Sequence, residues 1–133
     1  MAAPVLVDED MTNGREAIKP LAKDPFLKAT GFLWMYYPGA DEWRFMVATS
    51  ALETNGPMAV YRRILTVLRK NNLLEKLPLD RITAIGPSDK IFQRIKAFRE
   101  KRFPFHLVAD TRLANCDLGE GFGITNVLVY KFP

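Results

Sequence analysis

Among its 133 residues the chain has one cysteine, Cys116, and one histidine, His106. A lone cysteine excludes an internal disulfide and fits a reducing compartment. One cysteine and one histidine also fall short of any zinc-ligand spacing, so neither a metal nor a cofactor is expected. Long apolar runs are missing as well. The longest, Gly31 to Tyr37, is far below the roughly 20 residues that cross a bilayer. Asp8, Glu9 and Asp10 interrupt the amino-terminal stretch before any apolar segment develops, the reverse of a secretory signal. The expectation is a cytoplasmic protein with no membrane association.

What is present is ordinary for a folded protein. A hydrophobic fraction of 48% with 26% charged residues argues against disorder, and the length suits a single domain over residues 1–133. The net charge of +4 is unevenly spread. Residues 56–103 hold 12 Lys and Arg against 4 Asp and Glu, whereas residues 1–55 hold 5 against 8. This basic protein therefore carries its cations in the middle of the chain, where an anionic partner would be sought.

Periodicity orders the elements. Asp8 to Ala22 reads as a helix with acids at its positive end, weakened by Gly14 and Pro20. Phe32 to Tyr37 is a continuous apolar and aromatic run, as in a strand buried on both faces. Pro38 to Asp41 supplies turn chemistry, after which Trp43, Phe45 and Val47 alternate with Arg44, Met46 and Ala48, giving an antiparallel hairpin. A helix opens at Asn55-Gly56-Pro57 and sets Val60, Tyr61, Ile64, Leu65, Val67 and Leu68 on one broad apolar face. Arg81 to Ile85 reads as a short strand, Asp89 to Lys101 as a third helix, and Phe105 to Asp110 and Ile124 to Phe132 as closing strands. The predicted fold is α+β, ordered α-β-β-α-β-α-β-β. It has a mixed, mainly antiparallel sheet of about five strands with the helices packed on one face.

Several residues are candidates for function. The outward ridges of the two central helices hold Arg62, Arg63, Arg69 and Lys70, then Lys90, Arg94, Arg99 and Lys101. If those helices lie side by side, counterion release rewards nucleic-acid binding there; a solvated amphipathic face accounts for the same pattern. Trp34, Tyr36, Tyr37 and Trp43 concentrate aromatic area in one hairpin. Core packing uses such rings, and an uncovered sheet face would present them as an interface for a protein partner or a second copy.

Other patterns point less far. Gly119, Gly121 and Gly123 superficially resemble the protein-kinase glycine loop, but the spacing is Gly-x-Gly-x-Gly and no His-Arg-Asp or Asp-Phe-Gly follows. The segment reads as a glycine-rich hairpin loop. Cys116 with His106, oriented by Asp110 or Asp117, would make a thiol catalyst only if folding brought them together. Asp41, Glu42, Asp80, Asp89, Asp110 and Glu120 are scattered acids suited to turns and caps, and a metal-dependent nuclease would need them assembled.

The segments Glu42 to Ser50 and Gly56 to Ile64 resemble stretches in small bacterial proteins of uncharacterised function, a resemblance that implies no activity. The sequence thus favours a non-enzymatic binding or accessory protein, working through protein contacts or homodimerisation. The alternative is a nucleic-acid-binding module using the basic helix faces. A small hydrolase or nuclease comes third.

Overall fold

The computed structural model describes residues 6–37, 39–102, 111–117 and 124–131. Its elements run α1 (Asp8–Lys23), β1 (Ala29–Tyr37), β2 (Glu42–Thr49), α2 (Ala51–Lys70), a 3-10 turn (Leu79–Arg81), β3 (Ile82–Ile85), α3 (Lys90–Arg102), β4 (Thr111–Asp117) and β5 (Ile124–Lys131). The fold is α+β, with three helices on a mixed sheet ordered β3-β2-β1-β5-β4. β2 and β3 are parallel, as a strand-helix-strand crossover allows, and every other pair is antiparallel.

The helices do not share one face of the sheet. Alternation along a strand sends successive side chains to opposite sides. Phe32, Trp34, Phe45, Val47, Leu128 and Tyr130 therefore point one way and pack with Ala17 and Leu21 of α1 and Val60, Ile64 and Leu68 of α2. Leu33, Met35, Met46, Ala48, Val127 and Val129 point the other way and meet Ile91, Phe92 and Ile95 of α3. The expected one-sided packing is thereby corrected to a three-layer arrangement. The cause lies in β1 itself, where Phe32, Leu33, Trp34 and Met35 are all buried and both faces need cover.

Two boundaries also differ from expectation. α2 begins at Ala51, and Gly56, with φ +83°, breaks it into two helical segments. That left-handed backbone strains any residue with a Cβ, and Pro57 then starts the second segment where its missing N–H is no loss. The expected opening at Asn55-Gly56-Pro57 marks this break. The fourth strand was expected at Phe105 to Asp110, which lies outside the described residues; β4 is Thr111–Asp117 and includes Asn115 to Asp117, expected as loop.

Polar ties fix α1 and α2 to the sheet and to each other. Trp34 Nε1 donates to the Tyr130 hydroxyl at 3.0 Å, and that hydroxyl donates to the Met11 carbonyl at 2.6 Å. Arg81 holds the Asp10 carboxylate with two nitrogens, at 3.1 and 3.3 Å, with its guanidinium 4.9 Å over the Trp34 ring. Gly14 sits beneath this cluster: a Cβ there would come within 2.7 Å of Trp34 Nε1. Asn13 Nδ2 donates to the Lys76 carbonyl, and Glu16 pairs with Lys76 at 3.7 Å. At the other end of α1, Asp24 meets Arg63 of α2 at 2.6 Å. The amino-terminal half of α1 therefore lies near the exit of α2 and its end near the middle of α2, so the two helices run antiparallel.

Candidate functional site

The sequence pointed to two groups of basic residues, and the fold separates them. Arg62, Arg69 and Lys70 are exposed on the outer side of α2. Lys90 and Arg94 are exposed on α3, across the sheet. Arg99 and Lys101 belong to α3, but their side chains lie outside the described residues. Because α2 and α3 cover opposite faces, the six whose side chains are described do not form one patch.

Arg63 has a different task from its neighbours. Its Nε donates to Asp24 Oδ1 at 2.8 Å, while Asp24 Oδ2 accepts the Leu27 N–H at 3.0 Å. The Asp24 side chain is only 4% exposed. Burial by itself raises the Asp24 pKa, but the Arg63 hydrogen bond, the Leu27 and Phe26 amides and the Arg63 charge outweigh it and hold the carboxyl below its ordinary value. The same partnership raises the Arg63 pKa. This pair ties the loop before β1 to α2.

On the same side of the molecule, α1 adds cations that the sequence reading passed over. Lys19 and Lys23 are exposed one helical turn apart, and the antiparallel packing sets them beside α2. Together with Arg62, Arg69 and Lys70 they make five exposed cations with no ion pair among the described residues. Three acids of this layer are committed, Asp24 to Arg63, Glu16 to Lys76 and Asp10 to Arg81, while Asp8, Glu9 and Glu75 are exposed. The signal was available in the Lys19–Lys23 spacing, but the net acidity of residues 1–55 hid it.

The aromatic hairpin is mostly interior. Trp34 is 0% exposed, and Tyr36 is buried with its hydroxyl donating to Asp41. Tyr37 and Trp43 are half-buried. The Tyr36 and Trp43 rings pack at 5.6 Å, and Arg44 lies 5.9 Å over the Tyr37 ring. Among the described residues α3 packs on the face opposite α1 and α2, and these rings do not line an open sheet face. Trp34 therefore works in the core, and Tyr37 and Trp43 retain only their partial exposure.

Among the described residues the acids hold separate places. Asp41 accepts from Tyr36, Glu42 pairs with Arg44 at 2.7 Å, and Asp89 accepts the Ile91 N–H at the start of α3. Asp80 lies exposed in the 3-10 turn. His106, Asp110, Glu120 and the loop Gly119 to Gly123 lie outside the described residues. Cys116 and Asp117 are backbone-paired in β4 with Thr125 and Ile124. Among the described residues no three His, Cys, Asp or Glu side chains cluster as metal ligands, and no helix is long and apolar enough to cross a membrane.

One further carboxylate joins two elements. Glu53, in the first turn of α2, accepts both the N–H, at 2.8 Å, and the hydroxyl of Ser88. Those two bonds lower its pKa, the hydroxyl first. Gly86 allows the approach, since a Cβ there would meet the Glu53 side chain at 2.9 Å. The arrangement latches α2 to the turn that opens α3.

No family model, curated protein or solved structure matches this chain.

Proposed function

We propose that this chain is a non-enzymatic binding protein that acts through contacts with a protein partner or a second copy of itself. The observation that carries the reading is the charge balance of the α1 and α2 layer. Asp10, Glu16 and Asp24 are spent on internal ties and Asp8 and Glu9 lie exposed at the start of α1, while five outward cations have no ion pair among the described residues. Uncompensated charge at a surface speeds and orients encounter with a complementary partner. Gentle purification followed by sedimentation analysis, with nuclease added throughout, tests it. The expected result is self-association or a retained protein. A strictly monomeric chain that retains no protein would overturn the reading.

The same cations support nucleic acid as the second reading, with Arg62, Arg69 and Lys70 on one side and Lys90 and Arg94 on the other. Each phosphate neutralised would steepen the salt dependence, by about −0.9 in the logarithmic slope. Binding to duplex DNA or RNA that Arg62→Glu abolishes, and that salt weakens steeply, would favour this reading over the first.

A further inference from the structure

We propose that the outer face of the α1/α2 layer docks an acidic protein segment carrying an apolar residue at one end, an inference that rests on the protein-binding reading above. Lys19 and Lys23 project from α1, and Arg62, Arg69 and Lys70 from the adjacent α2. Arg62 and Arg69 are seven residues apart, about 10 Å along the helix, and so share one ridge. An extended or helical acidic segment laid along that ridge meets both guanidinium groups, with Lys70 on the side of α2 that turns toward α1.

The apolar end of the surface selects the class of partner. Phe26 and Met58 are 37% and 72% exposed, two of the three exposed large hydrophobic residues among those described. Phe26 lies two residues beyond Asp24, and Met58 lies five residues before the arginine that Asp24 grips. Met58 heads the row of Arg62 and Arg69 on α2, and Phe26 lies beside Asp24 at the end of α1. Met58, Arg62 and Arg69 fall on the same side of α2, so an apolar head continues into a basic row. Protein interfaces are enriched in Met, aromatic residues and Arg. A phosphate backbone would match the cations and leave Met58 and Phe26 in water. It would also gain nothing from Lys90 and Arg94, which face the other way.

The test is selection of phage-displayed random 16-residue peptides on the full chain, followed by fluorescence anisotropy with the enriched peptides and with a duplex DNA and a duplex RNA. Enriched peptides should carry an excess of Asp and Glu with an aromatic or aliphatic residue toward one end. Their affinity should fall about tenfold or more in Arg62→Glu/Arg69→Glu and about threefold or more in Met58→Asp. Arg94→Glu, on the opposite face, should leave it unchanged. All four positions are exposed, and circular dichroism with urea midpoints confirms that each variant folds. Enriched peptides that are not acidic, or that bind Arg62→Glu/Arg69→Glu as well as the parent, would overturn this surface and leave the protein-binding reading intact. A chain that enriches no peptide, with or without duplex binding through Arg62 and Arg69, would also overturn this surface; the protein-binding reading falls only if the chain in addition sediments as a monomer and retains no protein.

Discussion

The two faces of the sheet are sealed by different means. On the α1/α2 side, large rings meet at the centre: Phe32, Trp34 and Phe45 are fully buried, and Trp34 meets Phe45 edge-on at 5.3 Å. Around them run the Trp34–Tyr130–Met11 chain, the Arg81–Asp10 fork and the Asp24–Arg63 pair. On the α3 side the contacts are mainly aliphatic, through Leu33, Met35, Met46, Ile91 and Ile95. There Arg44 reaches Thr83 Oγ1 at 2.7 Å along the sheet surface. Apolar contact is roughly proportional to area and has no direction, whereas hydrogen bonds fix angle and register. The α1/α2 layer is thus held in a defined orientation as well as buried, which suits a surface whose cations must stay in a fixed pattern.

Substitutions on each side should break this contrast in order of size. Trp34→Ala removes the largest buried side chain and a hydrogen bond, and should cost about 3–5 kcal/mol in urea unfolding. Ile95→Ala on the α3 side should cost about 2–4 kcal/mol. A larger loss at Ile95 would reverse the ranking of the faces.

Asp24→Ala comes next, at about 2–3 kcal/mol, because it strands the Leu27 amide and leaves Arg63 without its partner. The pH dependence has a definite sign. Against the opposing effect of burial, the Arg63 pairing and the Leu27 and Phe26 amides hold the folded Asp24 pKa below the ordinary carboxylate value, so folding favours the ionised form. That stabilisation is fully present above the unfolded pKa and disappears as pH falls through the lower folded value. Stability measured below about pH 4 should therefore fall less steeply in Asp24→Ala than in the parent. Identical acid limbs would show that Asp24 contributes no pH-linked stability.

Gly14→Ala sharpens the comparison further. Alanine is the better helix former by about 1 kcal/mol, yet its Cβ would press on Trp34 Nε1 and the Tyr130 hydroxyl, at 2.7 and 2.9 Å. Net destabilisation of about 1–2 kcal/mol is expected in urea unfolding, and a stabilised variant would show that the ring cluster yields easily. The smallest effect concerns the sheet edge. The Ala84 N–H donates to the Tyr61 hydroxyl at 2.8 Å, so Tyr61→Phe should cost about 0.5–1.5 kcal/mol. It should also speed hydrogen exchange at Ala84; unchanged exchange would show that this bond does not protect the edge.

Much of this architecture was legible in the sequence, for reasons that can be named. The β1–β2 hairpin followed from an aromatic run, a turn and an alternation, all local signals. The extent of α1 and α3 followed from apolar spacing. The continuous apolar character of Phe32 to Met35 already required cover on both sides, and one-sided packing overlooked it. Thr111 to Asp117 was not legible as a strand because its pattern is weak beside the more apolar Phe105 to Val108. Six of the eight expected nucleic-acid contacts are described with side chains, and Arg63 among them is occupied by Asp24. Lys19 and Lys23 could be joined to the α2 cations only through helix packing, which depends on residues as distant as Glu16 and Lys76.

The break at Gly56 has a bearing on how the molecule opens. An uninterrupted helix of 20 residues would carry one continuous ladder of amide bonds, but here the ladder restarts after Asn55. The short piece answers to Ser88 through Glu53, and the long piece answers to α1 through Arg63. Each can therefore fray on its own schedule, so that the turn leading into α3 loosens while the basic row beyond Pro57 keeps its shape.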